Sequence, residues 1–316
     1  MGNASAQFLA RSEFAQLLAA LKRAGFDCVG PQVRDGAIVY DRLDDIADLP
    51  MGVGSTQAPG SYRIEPHGDG RYFAWANGPQ ALKPLTFAPR ETLWRAERAA
   101  DGAITFSASN HDTKTLAVLG VRACDLAGLA LQDQHFLHTS GTDPAYQARR
   151  TSLFLIAVHC TDPAATCFCA STGDGPRAHS GYDIALSEID EGYLVDAGTE
   201  RGRKLLAELP LTVATEPMRA RADKEIAAAA ATQTRTLPSR NLRDLLFTKL
   251  EHPRWEEVAN RCLACGNCTS VCPTCFCHAE VERPKLDGSG SVHAREWDSC
   301  FTKGHSYIHG LTIRAD

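Results

Sequence analysis

Seven of the chain's twelve cysteines, Cys262, Cys265, Cys268, Cys272, Cys275, Cys277 and Cys300, crowd its C-terminal part. Four more, Cys124, Cys160, Cys167 and Cys169, form a middle set, and Cys28 stands alone. No hydrophobic core absorbs so many neighbouring thiols, so they must be bridged or bound to metal. At about 4% of the chain they fall below the density of a disulfide scaffold. The first 25 residues show no secretory pattern, and no apolar run approaches the 18 residues of a membrane span. Cytoplasmic placement is therefore expected, and there clustered thiols hold metal rather than disulfides.

The spacing Cys262-x2-Cys265-x2-Cys268-x3-Cys272-Pro273 is the bacterial ferredoxin ligand run. Three thiolates two residues apart bend a loop around three irons of one cubane, and the fourth, followed by proline, is directed to another cluster. Gly266 relaxes the turn and lets backbone N–H groups approach the sulfides. The run is too compact for a zinc ribbon, which needs two CxxC pairs further apart. Cys272-Pro-Thr-Cys275 imitates a redox CxxC, but no βαβ pattern surrounds it. Cys275-Phe-Cys277-His278 lacks the spacing of a haem c site.

The rest of the chain is read from its periodicities. Phe8, Leu9, Phe14, Leu17, Leu18 and Leu21 predict a helix over 5–24. Short strands are expected at 36–40, 61–65, 71–75 and 103–108. Apolar runs at 115–121 and 152–159 flank a helical pattern at 125–137, a βαβ unit with parallel strands. Cys124 and Cys160 then fall at the carboxyl edge of one sheet, where open α/β folds place ligands. Cys167 and Cys169 follow in the loop 161–170, so the four thiols can converge on a second cubane. A hairpin is expected at 182–188 and 193–196, with helices at 199–209, 216–233, 241–251 and 254–261 and a linker at 234–240. The fold class is α+β: a mixed α/β domain over 1–233 carrying the four-cysteine site, then a helical, ferredoxin-like domain over 241–316. Thr-Cys-Phe-Cys occurs at 166–169 and again at 274–277.

The C-terminal arithmetic is awkward. Seven cysteines are one short of two four-thiolate clusters. A closed set of Cys272, Cys275, Cys277 and Cys300 leaves Cys262, Cys265 and Cys268 without a fourth ligand. His278, His293 or Asp298 can substitute, or the natural chain continues past Asp316.

Other function classes find little support. Lys and Arg total 33 against 38 Asp and Glu, a net charge of −5, which argues against a nucleic-acid partner. Gly52 and Gly54 begin a GxG, but Gln57 occupies the third glycine position. HExxH, GxSxG and P-loop motifs are absent, and no catalytic residue is assigned. Asp125 reads as a helix cap and Cys28 as a small core residue. Arg122, Lys83 and Arg90 read as solvated surface charges, with cluster tuning or an acidic partner as the alternative.

Three segments together resemble a known family: Gly120-Val-Arg-Ala-Cys-Asp-Leu126, His159-Cys-Thr-Asp-Pro-Ala-Ala-Thr-Cys-Phe-Cys169 and Arg261-Cys-Leu-Ala-Cys-Gly-Asn-Cys-Thr-Ser-Val-Cys-Pro-Thr-Cys-Phe-Cys277. They look like the iron–sulfur beta subunit of cytosolic NAD(P)-linked [NiFe] hydrogenases, the sulfhydrogenases, and the corresponding iron–sulfur subunit of anaerobic sulfite reductase is similar. Trp297-Asp-Ser-Cys300 and Ile308-His-Gly310 fit the same pattern. The resemblance implies two or more [4Fe-4S] clusters. It also implies an electron relay between a flavin subunit handling NAD(P)H and a hydrogenase or sulfite reductase catalytic subunit. Family members continue into a second CxxCxxCxxxCP, so this chain is expected to be truncated. Two alternatives remain: an enzyme binding substrate at an iron without its full cysteine set, and a zinc-stabilised interaction protein.

Overall fold

The computed structural model describes residues 7–78, 82–109, 113–139, 141–238, 241–302, 304–305 and 307–312. Residues 5 and 6 of the expected helix, 239 and 240 of the expected linker, and the end at Asp316 lie outside them. In chain order the strands are β1 Gln7–Ala10, β2 Asp27–Arg34, β3 Ala37–Arg42, β4 Val53–Ala58, β5 Ser61–Pro66, β6 Arg90–Arg98, β7 Ile104–Ala108, β8 Leu116–Val121, β9 Leu153–Val158, β10 Ile184–Ile189, β11 Gly192–Ala197, β12 Thr212–Val213, β13 His278–Pro284, β14 Gly290–Trp297, β15 Tyr307–Ile308 and β16 Leu311–Thr312. The helices are α1 Phe14–Arg23, α2 Lys83–Thr86, α3 Ala123–Asp133, α4 Pro144–Ser152, α5 Cys169–Thr172, α6 Glu200–Leu206, α7 Glu216–Ala231, α8 Leu242–Phe247, α9 Arg254–Ala259 and α10 Asn267–Val271.

The chain divides into two compact units, Met1–Leu82 with Thr113–Leu237, and Lys83–Asp112 with Pro238–Asp316. The first is built on an eight-stranded sheet ordered β12-β1-β11-β10-β9-β8-β2-β3. Its centre is parallel: β2, β8, β9 and β10 pair in that direction. The run LFLIAV of β9 is buried throughout, as a sheet covered on both faces requires. Phe14, Leu17, Leu18 and Leu21 give α1 a buried stripe on this core, shared with Leu119, Phe154, Ile156 and Tyr193. The βαβ unit is therefore as the sequence reads, with α3, a π-helical turn at Gln134–Thr139 and α4 in the crossover. The β10–β11 hairpin also forms.

Four differences from the sequence reading have physical causes. The expected helix 5–24 begins only at Phe14, because Gln7–Ala10 pairs with β11 on one side and β12 on the other. Both Phe8 and Leu9 are thereby buried. Residues 71–75 form no strand; the N–H groups of Tyr72 and Phe73 donate to the Glu188 carboxylate, both at 2.9 Å, and the Phe73 and Trp75 carbonyls go to Arg122. Side chains, not a ladder, satisfy this backbone.

The other two concern the second unit. Segment 83–112, placed by the sequence in the N-terminal domain, joins the C-terminal residues because β6 pairs with β14. That unit is not simply helical: it carries an antiparallel sheet ordered β13-β14-β6-β7. The buried Arg295 and Glu91 pair across it, Arg295 Nε donating to Glu91 Oε1 at 2.8 Å.

Candidate metal centres

The first unit gathers four thiols at its sheet edge. β8 ends in a bulge between Leu119 and Val121, where Gly120 takes φ +90°. A side chain there would meet the Pro31 ring at 3.1 Å, so only glycine turns the chain this way. The turn carries Arg122 inward and starts α3 at Ala123, putting Cys124 in its first turn. The helix starts two residues earlier than the sequence reading, so Arg122 takes the N-cap position and Asp125, at the third helical position, accepts the Arg122 backbone N–H at 3.1 Å. Cys160 follows β9, and its N–H donates to the Pro176 carbonyl at 3.1 Å.

Cys167 and Cys169 close the set. Electrostatically, Cys124 responds to Cys169, Cys160 and Cys167, and Cys160 to Cys167. The Cys124 side chain keeps contact with solvent, yet most of its surroundings are protein. Desolvation there, ahead of the Asp125 carboxylate and the three thiols, pushes its pKa well up. Burial also raises Cys160 and Cys167, while the Arg122 guanidinium pulls both down.

Segment 233–237 is not a free linker. Gln233 Nε2 donates to Cys169 Sγ at 3.3 Å, and its Oε1 accepts the Ala170 N–H at 3.1 Å. Arg235 Nε donates to the Ala165 carbonyl and the Leu237 N–H to Ser171 Oγ. The segment straps the loop that bears two of the thiols.

The second unit divides its seven cysteines. Cys277 has Cys275 and Cys300 as neighbours: its thiol shares a hydrogen bond with Cys275 and accepts one from the Cys300 backbone N–H. Burial, ahead of these neighbours, raises it. Lys83 lies within electrostatic reach of Cys275, Cys272 and Cys277. Cys272, Cys275 and Cys277 therefore lie around Lys83, with Cys300 beside Cys277.

Cys262, Cys265 and Cys268 stay exposed, the first two on a loop and Cys268 in the first turn of α10. In the loop Ala264 takes φ +49°, a position unusual outside glycine, and its N–H points to Cys262 Sγ at 3.4 Å. Gly266, at φ +71°, lets the turn lie against Ser299, whose Cβ a side chain would meet at 3.1 Å. The suggested substitutes are engaged elsewhere. His293 bonds Glu282 and Glu280 and stacks on Trp94, Asp298 takes Ser299, Thr302 and His305, and His278 bonds the Phe276 carbonyl.

Two cations need a different description from that of the sequence. Arg122 is 1% and Lys83 6% exposed; only Arg90, paired with Glu296, sits at the surface as expected. Trp75, Asn77 and Gln233 were not singled out in the sequence, and Trp297 only as part of the Trp297-Asp-Ser-Cys300 resemblance. Asn77 Nδ2 reaches both Asp125 and Cys124 Sγ, the latter at 3.9 Å. No short motif signals these residues, although Arg122 two positions before Cys124 carries a positional hint. Cys28 is buried, as a core residue should be.

The donor sets fit iron–sulfur clusters. Thiols with raised pKa stay protonated until a metal replaces the proton. Beside the sets lie buried N–H donors without a protein partner among the described residues, Arg122 Nε and Trp297 Nε1. No three His, Cys, Asp or Glu side chains among the described residues close around a single ion. A cubane, which takes one thiolate at each iron, does not ask for that.

Comparisons with known proteins agree. Sequence patterns of the 4Fe-4S dicluster domain match residues 261–316 and 224–276. The chain is an iron–sulfur protein of the [4Fe-4S] class, with more than one cluster as its cofactors. It is similar to Sulfhydrogenase 2 subunit beta of Pyrococcus furiosus, with 34% identity over 196 residues, 61% of this chain and 57% of that protein. The resemblance carried by the cysteine motifs therefore holds, over somewhat more than half of the relative's length. No solved structure matches the chain. Among the described residues no helix is long and apolar enough to cross a membrane.

Proposed function

We propose that the protein is an electron-transfer subunit of a hydrogenase-type redox complex, relaying electrons between a flavin subunit that handles NAD(P)H and a [NiFe] hydrogenase catalytic subunit. The alternative terminal partner is a sulfite reductase, and the cytoplasm is the expected location. The observation that carries this reading is the sorting of eight thiols into two four-membered sets, one in each compact unit, with no other reactive constellation assigned. Cys124, Cys160, Cys167 and Cys169 would hold one cluster, and Cys272, Cys275, Cys277 and Cys300 another. Cys262, Cys265 and Cys268 would supply three ligands to a further cluster. When bound, the clusters supply one-electron redox chemistry. The chain's part is to bury them, aim N–H groups at sulfur and place charge nearby.

The exposure of the three-thiol loop favours a second reading, in which an iron there binds substrate directly. Iron and acid-labile sulfide, measured anaerobically with EPR of the reduced protein, test both. About eight irons or more per chain with cubane signals support the relay. Turnover by the isolated chain favours the second reading. Zinc without sulfide overturns both.

A further inference from the structure

We propose that each four-thiol set has its own buried counter-cation, Arg122 in the first unit and Lys83 in the second, and that these two charges set the reduction potentials of the two clusters separately. The proposal rests on the cluster assignment above.

The two cations are held alike by unrelated architectures. Arg122 donates to the carbonyls of Phe73 at 2.7 Å, Trp75 at 2.8 Å, His159 at 3.3 Å and Val158 at 3.4 Å. Its guanidinium lies over the Trp75 ring, 4.5 Å from the centroid. Lys83 Nζ donates to the carbonyls of Thr269 at 2.7 Å and Ser270 at 3.4 Å, and sits 4.0 Å from the Trp297 ring centroid. Each is thus solvated by carbonyl dipoles and one indole face.

Neither side chain has a carboxylate ion pair among the described residues. Asp125, near Arg122, spends an oxygen on the Arg122 backbone N–H instead. Other buried or half-buried cations of this protein do pair with acids: Arg295 with Glu91, and the half-buried Arg71 with Glu225 and Asp190. A buried charge without a counter-ion is expensive, so its retention beside thiols calls for an anion there. The thiols are the neighbours: Arg122, two residues before Cys124, bonds the carbonyl of His159 beside Cys160, and Lys83 bonds the carbonyls of Thr269 and Ser270, just before Cys272.

The consequence follows from charge alone. A cubane on four thiolates is a net anion. Reduction adds one electron, breaks no bond and deepens that charge. A fixed cation favours the reduced form more than the oxidised one, so it raises the potential. Arg122 and Lys83 are positioning charges, each addressed to a different set.

The test uses the full chain, purified anaerobically, with Lys83→Met, Lys83→Arg, Arg122→Met and Arg122→Lys. Iron and sulfide are counted first. Midpoints are then read by EPR during titration with dithionite and mediators. Lys83→Met is expected to lower the reduced-to-oxidised ratio of one signal tenfold or more at fixed potential, about 59 mV for a one-electron couple. The first unit's signal, identified by its loss in Cys160→Ser, should stay in place. Arg122→Met should move the other signal, and the charge-keeping variants should restore each midpoint.

Unmoved midpoints at full iron content overturn the proposal alone, as does an equal shift of both signals in either variant. Wild-type protein lacking iron and sulfide overturns the cluster assignment and takes the proposal with it. Where Arg122→Met fails to fold, Lys83→Met decides: one signal shifted supports the proposal, and none or both overturns it.

Discussion

The strap over the Cys167–Cys169 loop gives a prediction whose size can be worked out. Gln233→Ala removes the donor to Cys169 Sγ and the acceptor for the Ala170 N–H, bonds of 3.3 and 3.1 Å. Two neutral hydrogen bonds at about 0.5–1.5 kcal/mol each give an upper range of roughly 1–3 kcal/mol. The Ala170 end is exposed, so water replaces part of that bond and the net loss falls to about 1 kcal/mol. The strap keeps Arg235 to the Ala165 carbonyl and Leu237 to Ser171, so the effect is a local loosening. About 1 kcal/mol is roughly a fivefold rise in the opened population. Amide hydrogen exchange over 165–171 in the metal-free chain should accelerate by that factor, with β8 and β9 unchanged. Unaltered exchange in the loop, or equal acceleration across the whole first unit, would refute the idea that Gln233 holds this loop.

Further predictions address other parts of the molecule. Cys268→Ser should lose the cluster signal of the exposed loop and leave iron at the middle set, whereas Cys160→Ser should do the reverse; equal iron loss from both would contradict separate sites. Burial pushes the Cys28 thiol up to about 11, so it should resist iodoacetamide at pH 8 until the chain unfolds. Because its folded pKa lies above the unfolded one, its stabilising contribution is complete below pH 9 and disappears as pH rises toward 11. Urea midpoints of wild type and Cys28→Ala across that window would show a narrowing gap, and a constant gap would count against it. Glu91→Ala strands Arg295 in the second unit's sheet and should cost about 3–5 kcal/mol in chemical denaturation; a loss under about 1 kcal/mol would mean the pair is not what ties β6 to β14.

What was legible in the sequence followed strong periodicity and spacing. The buried runs of β8 and β9 and their parallel pairing could be read directly, and with them the convergence of Cys124 and Cys160. Long-range pairing was not legible. Gln7–Ala10 continues the helical spacing of α1, and only the distant β11 and β12 make it a strand. The β13–β14 hairpin had a turn signal in Asp287-Gly288, overshadowed by the cysteines before it. Arg122 and Lys83 look like ordinary surface charges because carbonyls from three distant stretches of chain and two indole rings are what bury them.

The repeated Thr-Cys-Phe-Cys shows what the two units share. At 166–169 the pair joins Cys124 and Cys160, delivered by strand ends of a parallel sheet. At 274–277 it joins Cys272 and Cys300, the latter following β14 of an antiparallel sheet. The scaffolds have different topologies, so the likeness of the sites does not come from the fold around them. It lies in the local device: two thiols separated by one phenylalanine, a further cysteine from elsewhere in the unit, and a cation on an indole. In each pair the intervening ring, Phe168 or Phe276, is 45% or 41% exposed. With thiols that repel one another once ionised, the loops would draw their final order from the clusters proposed for them, and the protein contributes the charge, the donors and the strap.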